Sequence, residues 1–247
     1  MEAMIANAVR LSFSENVQPE SLAKTSFMYW AMQRPAFAQA HAARQLYVLN
    51  QLNVMRPGKG SISTVNEFFG GVGIGSAIVQ KLFQPTRHCV FEVDAQCLEH
   101  LQRQSFSPGL TVQYGDAVDT MLECGYADLM FCDFPKFNPL DISGWQAQLD
   151  HVFGLRPKAV YLNDTSFWSR HLHQERYAGP LNKAALRSDG EYIMAYSEKM
   201  RADYGYAVLA VAIHRGASFL YVPALTVAHP TVTRIKRPAA EEAMRIW

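Results

Sequence analysis

Short apolar runs and amphipathic stretches take turns along most of this chain. "STVNEFF" (63–69) reads as a strand, "GSAIVQKLF" (75–83) as a helix, "HCVFEV" (88–93) as a strand and "AQCLEHLQRQ" (95–104) as a helix. The series continues with strand "LTVQYGD" (110–116), helix "AVDTMLECG" (117–125), strand "ADLMFC" (127–132), helix "SGWQAQLDHVFGL" (143–155) and strand "KAVYLN" (158–163). Strands separated by single helices, several of them apolar nearly throughout, imply a parallel sheet covered on both faces; a strand buried on both sides has no solvent face to alternate with.

The flanks follow other rules. Residues 18–55 are poor in β-branched residues, and apolar positions recur at helical spacing through "SLAKTSFMYWAMQ" and "AHAARQLYVLNQL". An N-terminal helical segment over 1–60 is therefore expected, closed by the break "MRPGKGS" (55–61). Residues 165–190 are irregular and polar, an insertion beyond the sheet. Residues 190–205 look helical, and "YAVLAVAIHRGASFLYVPALTV" holds two apolar runs joined by "HRGAS", which predicts an antiparallel hairpin closing the sheet. The expected architecture is a Rossmann-like α/β domain over 61–230, mostly parallel with that C-terminal hairpin, followed by a basic tail over 231–247.

Composition narrows this picture. With 247 residues, 49% of them hydrophobic, the chain can build one sizeable core. No apolar run reaches the ~18 residues of a membrane span, and the N-terminus lacks the charged-then-apolar order of a secretory signal. The expectation is a soluble protein, cytoplasmic or nucleoid-associated, with no membrane partner. Cys89, Cys97, Cys124 and Cys132 form no CxxC pair, so neither a zinc site nor a disulfide framework is indicated, and no metal is expected. Residues 67–155 hold 11 acidic groups against 4 basic, whereas residues 156–247 hold 13 basic against 8 acidic, so a polyanion would be met by the outer segments. The plainer alternative is solvated charge on helix faces.

The chemistry gathers at strand ends. In "EFFGGVGIGS" (67–76), Gly70, Gly71, Gly73 and Gly75 crowd the turn between the first strand and its helix, where backbone can approach a ligand closely. The second strand ends with Glu92, Val93 and Asp94, about 20 residues on, where a carboxylate can accept from ribose hydroxyls. The third ends at Asp116 beside Ala117, suitably placed for an adenine amino group. Asp94 and Asp116 could equally be helix N-caps. A nicotinamide cofactor fits a similar template, but the terminal hairpin favours S-adenosylmethionine.

In order and spacing, these segments resemble the cytosine-C5 DNA methyltransferases. "EFFGGVG" looks like that family's Asp-Leu-Phe-Ala-Gly-x-Gly, "CVFEVDAQCLEHL" its ribose-binding motif, "YGD" its third motif, "DLMFCDFPKF" its Asp-Ile-Leu-x-x-Gly-Phe-Pro-Cys-Gln and "RPKAVYLNDT" the motif ending Leu-Glu-Asn-Val. The resemblance covers about residues 64–170. It implies an S-adenosylmethionine site formed by Glu67, Phe69, Gly71, Gly73, Gly75, Glu92, Val93, Asp116, Ala117 and Asp133. It also marks a departure: Lys136 stands in place of the nucleophilic cysteine and Asn163 in place of the glutamate that holds the cytosine ring. "HRGAS" (214–218) lacks the arginines of the family's Gln-x-Arg-x-Arg motif, and no segment long enough for its target-recognition domain follows.

Methylation at cytosine carbon 5 needs thiolate addition to the ring, and both the thiol and its partner acid are missing. Cys132, four positions before Lys136, would need a distorted strand to reach the same pocket. Amine methylation asks for less: in amino-methyltransferases an (Asp/Asn)-Pro-Pro-(Tyr/Phe) segment accepts hydrogen bonds from the target amine, and "DFPKF" offers Asp133, Pro135 and a displaced aromatic, Phe137. The expected catalytic group is thus Asp133, Pro135 and Lys136. The expected activity is S-adenosylmethionine-dependent methylation of a nucleic-acid base, DNA favoured over RNA, with a partner subunit as one source of target recognition. The alternative is a silent module that keeps the cofactor, with Lys136 holding an anion. Phe167 and Trp168 are placed to stack on a substrate ring; Tyr29 and Trp30 read as packing, and His171 and His173 as solvent-facing or phosphate contacts.

Overall fold

The computed structural model describes residues 35–56, 60–104, 106–133, 145–164, 189–213, 217–224 and 231–234. Among these residues the first helix, α1 (Pro35–Met55), precedes five parallel strands: β1 (Thr64–Phe68), β2 (Arg87–Glu92), β3 (Leu110–Tyr114), β4 (Leu129–Cys132) and β5 (Ala159–Asp164). Between them lie α2 (Ile74–Phe83), α3 (Ala95–Gln102), α4 (Ala117–Glu123) and α5 (Gln146–Gly154). A further helix, α6 (Asp189–Tyr204), leads into β6 (Tyr206–Ile213), β7 (Ala217–Pro223) and β8 (Thr231–Arg234).

The strand order is β3-β2-β1-β4-β5-β7-β6-β8. The hairpin predicted from the two late apolar runs is present, with β7 antiparallel to both β5 and β6. β8 was not predicted: Thr-Val-Thr-Arg carries no apolar run, yet it pairs in parallel with β6 at the sheet's edge. Because β1 lies between β2 and β4, the chain winds one way and then the other from this centre, and a crevice opens at the carboxyl ends of β1 and β4.

Central strands are apolar because they are covered twice. All four residues of β4 are fully buried, and their side chains alternate between two cores. Leu129 and Phe131 join Val65, Tyr161, Leu220 and Val222 on the face covered by α1 and α2. Met130 and Cys132 join Phe68, Leu162, Phe219 and Tyr221 on the face covered by α4, α5 and α6. Phe131 stacks on Tyr161 at 4.2 Å between ring centroids. β3, an edge strand, is largely exposed. Among the described residues, no helix is long and apolar enough to cross a membrane.

At the opposite end of the sheet from the crevice, Asp128 clasps the amino ends of β1 and β4. Its carboxylate accepts from Ser63 N (2.7 Å), Ser63 Oγ (2.8 Å) and Tyr126 Oη (3.0 Å), and it pairs with Lys158 Nζ at 3.0 Å. Burial would raise its pKa, but the hydrogen bonds from Ser63, Lys158 and Tyr126 outweigh burial and hold it at about 2. A carboxyl depressed in the folded state stabilises fully above its unfolded pKa, and that contribution is lost as pH falls toward the folded value. Acid titration of stability should therefore show about 2 kcal/mol disappearing between roughly pH 4 and pH 2. Asp128→Asn should flatten that limb in urea melts across this range.

Candidate active site

The crevice begins where β1 ends. Phe69, directly after the strand, has φ 63°, Gly71 φ 53° and Gly73 φ 85°, so the chain turns sharply through left-handed backbone before α2 starts. Phe69 is held there in part by an edge contact with Trp145, ring centroids 5.9 Å apart. The glycines have different work. A Cβ at Gly70 would fall 2.3 Å from Val90 Cγ1, at Gly73 2.8 Å from Leu101, and at Gly75 2.8 Å from the Phe131 ring, so all three are dictated by packing. A Cβ at Gly71 would meet nothing nearer than Phe69 O at 4.0 Å. Gly71 is therefore the glycine of the turn whose α-carbon meets no close neighbour among the described residues.

The neighbouring carboxylates are distributed by the same geometry. Glu92 is nearly buried at the end of β2; its Oε2 accepts from Gly71 N at 2.7 Å, and Oε1 from Val93 N (2.8 Å) and Asp94 N (2.7 Å). Burial pushes the Glu92 pKa up, and the backbone hydrogen bonds of Asp94, Gly71 and Val93 pull it only part of the way back. Glu92 thus fastens the glycine turn to β2, with Oε1 taken by two amides and Oε2 keeping a lone pair for a hydroxyl donor. Val93 beside it is exposed. Asp94 caps α3 through Gln96 N and Cys97 N, and Asp116 caps α4 through Val118 N, so the N-cap alternative holds for both. Asp116 caps with Oδ1 and is exposed, and Ala117 behind it is buried. Glu67 lies inside, its Oε2 accepting from Ser76 Oγ (2.9 Å) and paired with His88 Nε2 (2.8 Å).

Across the crevice stands Asp133, the residue after β4, whose N–H donates to Phe68 O at 3.2 Å. Alternation along β4 puts its side chain on the face of Leu129 and Phe131, the face covered by α1. There Oδ2 meets His41 Nε2 at 2.6 Å and Gln45 Nε2 at 3.0 Å. Arg44 follows, its Nη2 3.1 Å from His41 Nδ1 and its Nε 3.3 Å from Ser218 Oγ, which in turn lies 2.9 Å from Tyr161 Oη. A guanidinium only donates, so His41 Nδ1 accepts and Nε2–H donates to Asp133. Burial lowers the Arg44 pKa, and nearby Tyr161 and Asp133 offset this in part; arginine keeps its charge regardless. Asp133 Oδ1 has no hydrogen-bond partner among the described residues.

His41, Arg44 and Gln45 were not singled out from the sequence. Their signal was present: polar residues at i, i+3 and i+4 on a helix whose neighbours Ala40, Ala42, Ala43, Val48 and Leu49 are all buried. Asn163 is also brought to this corner, 4% exposed, one residue beyond the Cys132 and Leu162 pairing of β4 with β5. Cys132 points into the opposite core, and burial drives its thiol pKa well above the ordinary value, so no thiolate is available from it. Pro135, Lys136, Phe137, Phe167, Trp168, His171, His173, Tyr29 and Trp30 lie outside the described residues. Among those described, no group of three His, Cys, Asp or Glu side chains is arranged to hold a metal ion.

Solved structures share this fold. A candidate RNA methyltransferase of Pyrococcus horikoshii superposes with TM-score 0.51 at 15% identity, over 92% of this chain and 98% of that one. The fold is that of the class I methyltransferases. The magnesium protoporphyrin IX methyltransferase of Synechocystis, solved with bound SAH, gives 0.51 at 12% identity over 87% and 93% of the two chains. A candidate caffeoyl-CoA O-methyltransferase of Staphylococcus aureus gives 0.50 at 12% identity over 82% and 95%. No protein-family model and no curated protein matches the chain. At such identity the likeness is one of fold, and these three proteins differ among themselves in what their names say they methylate.

The buried cluster under α1 makes its own demand on stability. Arg44→Met keeps most of the volume but leaves the acceptors on His41 and Ser218 facing a thioether. Breaking a buried charged network costs about 3–5 kcal/mol, and the urea midpoint should fall accordingly. Arg44→Lys should recover only part, because an ammonium is a point donor that cannot reproduce the guanidinium fork.

Proposed function

We propose that this chain is an S-adenosylmethionine-dependent methyltransferase acting on an amine of a nucleic-acid base, with DNA favoured over RNA. The observation that carries this reading is the joining of Glu92 to Gly71 N–H at 2.7 Å, which makes the end of β2 and the open side of the glycine turn one cradle at the switch point. The fit is chemical as well as spatial. Glu92 would take the ribose hydroxyls, exposed Val93 would lie along the adenine, and Asp116, with one oxygen beyond its cap, would meet the adenine amino group. Phe69, Gly71, Gly73, Gly75, Ala117 and Glu67 would shape or support the pocket. When bound, the cofactor supplies an electrophilic methyl group on sulfonium.

The chain's own contribution is positional. Asp133, held through Oδ2 by His41 and Gln45, keeps Oδ1 without a partner among the described residues; that oxygen would accept from an amine and orient its lone pair. Pro135 and Lys136 complete the proposed catalytic segment. The resemblance to the cytosine-C5 enzymes bears on the cofactor side alone, since Cys132 is turned into the core and thiolate attack has no nucleophile among the described residues. A second reading, a silent subunit that binds cofactor and nucleic acid, draws on the same Asp133, whose Oδ2 is committed to α1. Target recognition by a partner subunit fits either reading.

Calorimetric titration should show binding of S-adenosylmethionine or its demethylated product. Glu92→Gln should weaken it about tenfold or more, the scale of a hydrogen bond to a charged group. Incubation with radiolabelled cofactor and DNA or RNA should label a base, and Asp133→Ala should abolish the label. Absence of heat at millimolar ligand would remove both readings; cofactor binding without label on any nucleic acid would select the silent subunit.

A further inference from the structure

At the corner of β4 and β5, two neighbouring residues each carry an acceptor oxygen that receives no hydrogen bond from the described residues. Asn163 is 4% exposed, and its Oδ1 is buried without a hydrogen-bond partner among the described residues. A buried acceptor left this way costs free energy that a native site recovers only when something arrives to donate. Asp133 is only part-buried, and its Oδ1 has no hydrogen-bond partner among the described residues, its companion Oδ2 being held by His41 and Gln45. Both residues follow directly on the paired Cys132 and Leu162 of neighbouring parallel strands. Both share the face of Phe131 and Tyr161, which stack 4.2 Å apart just beneath them.

We infer that Asn163 and Asp133 form a paired acceptor for the two N–H bonds of a primary amine, so that the site selects amino bases over their oxo counterparts. The inference rests on the methyltransferase reading above and adds the group that is recognised. Neighbouring parallel strands run ~4.8 Å apart. A planar amino group with N–H bonds about 120° apart, each reaching an oxygen at ~2.9 Å, calls for acceptors ~5 Å apart. The strand spacing meets that requirement without adjustment. A hydroxyl, with one donor, would leave one acceptor unsatisfied, and a carbonyl oxygen would face two acceptors and be repelled. The relay from Arg44 through His41 serves this pair by fixing which oxygen of Asp133 is left over: Oδ2 is taken, Oδ1 is presented.

The test uses the full chain saturated with S-adenosylhomocysteine and titrated with single-stranded oligonucleotides that differ at one base, adenine against hypoxanthine and cytosine against uracil. One amino base should bind about tenfold or more tightly than its oxo partner, the scale of an unpaired buried acceptor. Asn163→Leu should erase that preference with S-adenosylhomocysteine affinity unchanged, and Asn163→Asp, which keeps an acceptor in place, should retain it. Asn163→Ser, too short to reach, serves as a second removal should the leucine variant not fold. Equal affinity for amino and oxo bases, binding of neither, or a preference that survives Asn163→Leu or Asn163→Ser would overturn the inference while leaving the cofactor reading intact. No binding of S-adenosylhomocysteine itself would instead remove the methyltransferase reading.

Discussion

The pairing of β1 with β4 in the middle of a sheet covered on both faces is the constraint from which the rest follows. Strands buried twice must be apolar along their length, and β4 is buried throughout. Polar chemistry can then enter only where strands stop. Glu67, Glu92, Asp133 and Asn163 stand at or just past the carboxyl ends of β1, β2, β4 and β5. The winding reverses between β1 and β4, so the topology that buries the core also sets the switch point at which open sheets of this kind leave a crevice.

Charge on the two walls of the crevice is handled differently. On the wall at the end of β2, backbone amides do the work: Glu92 takes three N–H groups, and one of them belongs to the turn it holds in place. On the far wall, side chains do it, and a fully buried arginine is committed to the cluster that orients Asp133. Burying a guanidinium is costly unless every donor finds a partner, which fastens α1 to β7 through Ser218 and to the end of β4 through His41 and Asp133. The N-terminal helix is thereby a wall of the site as well as a cover for the core.

The chemistry available at this corner departs from that of the family the motifs resemble. A cytosine-C5 reaction needs a thiolate, and the thiol nearest the site, Cys132, is fully buried on the wrong face of its strand. Strand alternation decides this: a residue adjacent in sequence to Asp133 must point to the other core. What the described residues bring to this corner is a set of acceptors, Asp133 and Asn163, with the thiol of Cys132 turned away from them.

The sequence by itself determined the alternation of strands and helices, the late hairpin, the glycine turn and the acids after β2 and β3, because each is a local pattern set by the period of burial or by one residue's backbone freedom. It left two roles open at Asp94 and Asp116, and hydrogen bonding within the first turns of α3 and α4 answered with caps. Only the tertiary structure decided that Gly71, among the glycines of its turn, has no close neighbour among the described residues, that β8 extends the sheet, and that His41, Arg44 and Gln45, some 90 residues away from it, take hold of Asp133. Such contacts depend on which helix face meets which strand end. That is fixed by packing across the whole sheet, and no window of neighbouring residues contains it.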